Sequence, residues 1–125
     1  MNIRYAIALA LATGAFGAIA GQTLSAKAKP PAYVVVDIDE ITDAEGFKAL
    51  LKTGPANIAS AKMADGRYLA RTDNITAIDG VPPKRFILIG FDSMEKAKAF
   101  NEDIKVTTAI RLKTTKSRSF IAEGM

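Results

Sequence analysis

Arg85-Phe86-Ile87-Leu88-Ile89-Gly90-Phe91 reads as a β-strand. Phe86 and Leu88 alternate with Ile87, Ile89 and Phe91. Successive side chains point to opposite sides of a strand, so both faces here are apolar. Ala32-Tyr33-Val34-Val35-Val36-Asp37-Ile38 has the same character: β-branched, continuous, and apolar on both faces. Strands of this kind sit inside a sheet that is covered on each side.

Outward from these two strands the pattern changes period. Thr42-Asp43-Ala44-Glu45 is a capping-box pattern that predicts a helix start. Phe47, Leu50, Leu51, Ile58 and Ala61 then recur at helical spacing. Gly54-Pro55 interrupts them, and Pro55 removes a hydrogen bond to the carbonyl of Leu51, which predicts a kink or a split into two short helices. Asp65-Gly66 punctuates the helix end, and Arg67-Tyr68-Leu69-Ala70-Arg71-Thr72 reads as a second strand. Asp73-Asn74 turns the chain, Ile75-Thr76-Ala77-Ile78 extends the strand as a ribbon, and Gly80-Val81-Pro82-Pro83 is a loop. After the Arg85–Phe91 strand, Ser93 is placed to cap a helix whose stripe is Met94, Ala97, Phe100 and Ile104, continuing to about Leu112. Ser119-Phe120-Ile121-Ala122-Glu123 closes the chain as a short strand.

The order β-α-β-(β)-β-α-β is that of an α+β, ferredoxin-like domain: an antiparallel sheet with two helices on one face. Helices on one face leave the other face open, yet the strands are apolar on both. A second copy of the chain is the economical cover, which predicts a homodimer.

The chain has 125 residues, enough for one domain. Residues 1–28 read as a secretory signal peptide: Arg4 supplies a positive start, Tyr5 to Ala20 is apolar and Ala-rich, and Ala26-Lys27-Ala28 is a cleavage site with small residues at the two required positions. The competing reading is an uncleaved membrane anchor, for which an apolar run of 16 residues is short beside the ~20 that a spanning helix needs. The mature domain is then residues 29–125, in the periplasm or outside the cell, with contact to membrane only through an uncleaved leader. A domain of that size has a thin stability margin, and with no Cys it has no disulfide, which again favours a partner subunit.

Composition excludes several chemistries. With no His and no Cys, Ser-His and Cys-His nucleophiles, imidazole metal sites and thiolate metal sites are absent. No acidic cluster has calcium-loop spacing, and no P-loop, dinucleotide-binding glycine pattern or nucleophile elbow is present, so neither a metal nor a cofactor is predicted. Of the 17 basic residues, Arg4 and Lys27 fall in the leader, and the remaining 15 face 13 acidic ones. That near balance gives no reason to expect nucleic-acid binding. Lys105, Arg111, Lys113, Lys116 and Arg118 form a run without acids. No aromatic residue is interleaved for base stacking, so the run reads as a solvated basic face.

Four residues stand out as candidate ligand contacts. Arg71 lies on a strand where packing does not require an Arg, and strict alternation puts it on one face with Arg67 and Leu69. It anchors a carboxylate or other anion, or it pairs structurally with Asp37 or Glu123, or it is an edge-strand charge. Asp37 is either a base in a dry pocket or an acid at a strand end. Tyr33 and Tyr68 either donate hydrogen bonds to a ligand or fill an interface.

Residues 32–124 resemble the DUF1330 family of small dimeric α+β barrel proteins. The resemblance rests on Ala32-Tyr33 at the first strand, Gly54-Pro55-Ala56 in the first helix, Gly66-Arg67-Tyr68-Leu69-Ala70-Arg71 as a Gly-basic-aromatic-Leu-x-Arg strand, and Phe91-Asp92-Ser93-Met94-Glu95-Lys96-Ala97 at the turn into the second helix. Arg111 and Glu123-Gly124 also match. Where members commonly carry a His before the second strand this chain has Lys62-Met63-Ala64-Asp65; their Trp-Tyr pair is Phe100-Asn101, and their Pro-Glu-Tyr is Glu102-Asp103-Ile104. The resemblance implies a fold and a dimeric assembly more than an activity. Two functional readings follow: an exported dimer whose barrel holds a small anionic or apolar ligand, or a cofactor-independent isomerase or monooxygenase of the same broad fold. A structural or stress-related interaction protein is a third. The missing His counts against acid–base chemistry.

Overall fold

The computed structural model describes residues 29–125. The leader expected over residues 1–28, with its cleavage site, lies outside the described residues. Four strands and four helices follow in the order β1 (Ala32–Ile41), α1 (Ala44–Lys52), α2 (Gly54–Met63), β2 (Arg67–Thr72), β3 (Arg85–Phe91), α3 (Met94–Asp103), α4 (Lys105–Thr114) and β4 (Thr115–Glu123). The sheet order is β2-β3-β1-β4, every neighbouring pair antiparallel. This is the ferredoxin-like arrangement that the order of elements predicts.

The two strands apolar on both faces, β1 and β3, occupy the middle of the sheet. Val34 stands opposite Ile89 and Val36 opposite Ile87. These four face the helices, and Val34, Val36, Ile38, Ile89 and Phe91 form a core with Phe47, Ala61, Ala97 and Phe100. The Phe91 and Phe100 rings pack with centroids 5.2 Å apart, a tilted aromatic pair. Tyr33, Val35, Phe86, Leu88 and Phe120 take the alternate positions and form the opposite, open face.

Each of the two expected helices is divided in two. Pro55 sits in the first turn of α2, where its missing N–H leaves no bond unmade. Thr53 is at once the C-cap of α1 and the N-cap of α2. Ile104 is likewise shared between α3 and α4, so the helix expected to run on to Leu112 resumes as a separate element ending at Thr114. Asp43, one residue beyond the expected start, caps α1: its side chain accepts from Gly46 N at 3.0 Å. Ser93 caps α3 as expected, accepting from Lys96 N at 3.3 Å. β4 begins at Thr115 rather than Ser119, because its first residues pair with the end of β1 across an irregularity between Ile38 and Glu40.

Two expectations fail in the second strand and its exit. Ile75–Ile78 is not a ribbon but part of an irregular connection from 73 to 84. Asp73, Asn74, Gly80, Pro82 and Pro83 break any regular ladder there. In β2 the pairing with β3 slips between Tyr68 and Ala70: Tyr68 opposes Ile89 and Ala70 opposes Leu88, leaving Leu69 without a partner. That bulge inserts one residue and reverses the parity of the strand.

The end of α2 is a Schellman turn. Asp65 N donates to Lys62 O at 3.0 Å and Gly66 N to Ala61 O at 2.7 Å. Asp65, not Gly66, takes the left-handed backbone, at φ 58°. Gly66 is needed for space: a Cβ there would run into the Phe91 ring. Gly66→Ala is therefore expected to cost about 1–3 kcal/mol by overpacking, read by urea denaturation. An unchanged midpoint would show that Phe91 has room to move.

Candidate functional site

Between the helix face of the sheet and the helices lies a cavity of about 410 Å³. Its walls include Val34, Val36 and Ile89 from the central strands and Phe47 and Phe100 from the helices. Its polar lining includes Arg71 from β2, Arg85 from β3, Arg111 from α4, Tyr68, Asn57 and Ser119, and no Asp or Glu lines it. Ala61, Lys62, Gly66 and Arg67 belong to a second, smaller cavity of about 300 Å³ that shares Ile58, Tyr68 and Arg71 with the first.

Each arginine is brought there by local structure. Arg85 opposes Ile38 and shares the helix face with Ile87 and Ile89. Arg71 opposes Ile87. The bulge at Leu69 puts it on that face together with Tyr68, not with Arg67 and Leu69 as strict alternation predicts. The Arg71 guanidinium carbon is 5.6 Å from the Tyr68 ring centroid, within cation–π reach. Burial pushes the Tyr68 phenol above its ordinary range, opposed by the Arg71 charge. At neutral pH Tyr68 is thus an uncharged donor.

Arg111 is the deepest of the three, 6% exposed. It corrects the reading of residues 105–118 as a uniformly solvated basic face. Counting from Ile104, which packs against the core, Thr108 and Arg111 continue one helical stripe at four and seven residues. Its Nη1 donates to Ser117 Oγ at 2.7 Å and its Nη2 to Ser119 Oγ at 2.9 Å. Thr115 Oγ1 lies 2.8 Å from Ser117 Oγ and 2.6 Å from the Arg111 carbonyl oxygen. Burial lowers the Arg111 pKa from its ordinary value, though a guanidinium stays protonated in a protein. Among the described residues, no carboxylate lies within ion-pair distance of Arg71, Arg85 or Arg111. An uncompensated buried charge costs on the order of several kcal/mol.

The four residues singled out from sequence divide into two pairs. Arg71 and Tyr68 meet at the cavity. Tyr33 and Asp37 lie on the open face. Asp37 pairs with Arg118, Oδ2 to Nη2 at 3.3 Å, and Arg118 Nη1 reaches Asp39 at 3.1 Å. Asp37 therefore answers Arg118, not Arg71, and no ion pair joins Arg71 to Asp37 or Glu123. Tyr33 packs over the glycines: a Cβ on Gly124 would meet its ring at 2.5 Å. Arg85 and Arg111 were not among the candidates. Alternation with Ile87 and Ile89 marks the first, and helical spacing from Ile104 marks the second.

These placements separate the roles of the charges. Arg71→Ala is expected to leave stability within about 0.5 kcal/mol of the parent, since it breaks no ion pair. Arg118→Ala is expected to cost up to about 1 kcal/mol, because it strips the partner from Asp37, whose side chain is only 16% exposed. Thermal or urea unfolding of the two variants side by side reads the difference, and a larger loss for Arg71→Ala would contradict the assignment.

Residues 31–125 match the family described as Domain of unknown function (DUF1330). No curated protein matches the chain. Among solved structures, a protein of unknown function from Rhodopseudomonas palustris is 13% identical with a TM-score of 0.54, over 83% of this chain and 90% of that one. A Nitrosomonas europaea chain provisionally named an antibiotic biosynthesis monooxygenase is 15% identical with a TM-score of 0.49, over 78% of this chain and 92% of that one. A Bacteroides fragilis protein, described as dimeric, of unknown function and ferredoxin-like, is 11% identical with a TM-score of 0.47, over 74% and 95%. The match to the family spans all four strands and all four helices, and the chain belongs to the DUF1330 family.

Proposed function

We propose that the protein is a binding module for a small, largely apolar anion, working as a homodimer after export. The observation that carries this reading is the cavity: apolar walls, three arginines and no acidic residue in the lining. A concave apolar site with a few convergent polar groups is the usual form of a small-molecule pocket. Cations with no carboxylate in ion-pair reach among the described residues favour an anionic guest. Tyr68 adds a hydrogen-bond donor at the cavity wall.

Support for the homodimer comes from the open face. Leu69 and Phe120 are 47% and 49% exposed there, beside Tyr33, Val35, Phe86 and Leu88. A sheet face so apolar is unsuited to water, and a second copy meeting it face to face buries both. The Asp37–Arg118 pair lies on the same face, its guanidinium shared with Asp39. Export rests on the leader pattern of residues 1–28, which places the mature start at Lys29 in the periplasm or outside the cell.

Three measurements test these parts separately. Native mass spectrometry of the gently purified protein is expected to show a bound small molecule that leaves as an anion; a clean apoprotein that no added apolar anion stabilises would count against the module. Light scattering is expected to give a dimer at micromolar concentration and a monomer for Phe120→Lys; a monomeric parent overturns the assembly. N-terminal sequencing of the exported protein is expected to begin at Lys29, and an intact Met1 in the soluble fraction overturns the cleaved leader.

A further inference from the structure

We infer that the guest is a monocarboxylate with an apolar body, and that Arg111 is the residue that binds its carboxylate. This rests on the binding reading above and narrows it to one chemical class and one anchor.

Arg111 has five N–H donors. Two of them go to Ser117 and Ser119. The other three find no acceptor among the described residues, although the side chain is more than nine-tenths buried and lines the cavity. Buried polar groups are satisfied in native proteins, and a group that is not calls for an explanation. A bound carboxylate supplies one: it accepts two parallel bonds from a guanidinium.

The two serines make the site a built one. They hold both terminal nitrogens of the fork from β4, while α4 carries the backbone, so the guanidinium plane is set before any ligand arrives. Such a preset fork binds with less loss of side-chain freedom.

Charge and volume narrow the guest. Of the three arginines that line the cavity, Arg71 is exposed and Arg85 half-buried, and only Arg111 is fully buried. A monoanion neutralises it, whereas a dianionic phosphate would leave a negative charge in apolar surroundings. Arg71 is exposed and stands at the mouth, where it draws anions inward without being buried with them. At ~30 Å³ for each water-sized group, the 410 Å³ cavity holds a body of about ten to fifteen non-hydrogen atoms.

The test compares octanoate, octan-1-ol and inorganic phosphate by calorimetry on the full chain, with Arg111→Met and Arg111→Lys beside the parent. The parent is expected to bind octanoate about tenfold or more tighter than octanol and to bind phosphate weakly. Arg111→Met is expected to keep octanol affinity, lose the preference for octanoate, and melt no lower than the parent, because it removes a buried uncompensated charge. Arg111→Lys keeps the charge without the fork and is expected to retain only part of the preference.

Equal affinity for octanoate and octanol in the parent overturns the carboxylate assignment while leaving an apolar pocket. Tighter binding of phosphate than octanoate overturns the monocarboxylate class. A preference for octanoate that survives in Arg111→Met or is undiminished in Arg111→Lys removes Arg111 as the anchor. An Arg111→Met that does not fold, with a parent that fails to discriminate, assigns Arg111 to the fold alone. Failure of every probe to bind brings down the broader binding reading as well.

Discussion

The pairing of β1 with β3 is the constraint on which everything else depends. Val34 against Ile89 and Val36 against Ile87 commit four large side chains to one side of the sheet. A slip of one residue would send all of them to the other side. That register decides which face receives the helices, and so where a cavity can form. It also decides that Phe86, Leu88, Val35 and Tyr33 lie on the face away from the helices, with no cover among the described residues. The cavity and the open face are two results of one register, since strands that are apolar on both sides must leave a surplus on whichever side the helices do not reach.

How much of this the sequence discloses depends on the range of the interaction. The central strands, the Ser93 cap and the division at Pro55 are local matters of period, hydrogen-bonding type and ring geometry, and they are legible in the chain. The division at Ile104 has no such mark, since no Gly or Pro stands there. The failed ribbon at 75–78 shows the limit of propensity, because Ile75 and Ile78 have strand character but pair with no strand among the described residues. The bulge at Leu69 is a non-local event. It arises where β2 meets β3, and nothing in Arg67–Thr72 announces it.

That single inserted residue explains most of what was misplaced in the site. Strict alternation sends Arg71 to the open face, near Asp37; the bulge returns it to the helix side with Tyr68. Arg111 was hidden for a different reason. It lies in a run of lysines and arginines, and composition hides the one basic residue that faces inward. Periodicity measured from Ile104 separates it, which means that a charged residue at a core position of a helix is worth more notice than the charge count around it.

The ionisable groups lining the cavity are Arg71, Arg85, Arg111 and Tyr68. Guanidinium groups do not give up their protons in a protein, and burial drives the Tyr68 phenol further from neutrality. With no His anywhere in the chain, no imidazole there can switch. The cavity therefore presents the same electrostatic face from mildly acid to mildly alkaline solution. Any acidity dependence in what it captures belongs to the guest's own proton equilibrium, so the guest and not the receptor sets the pH at which the two meet.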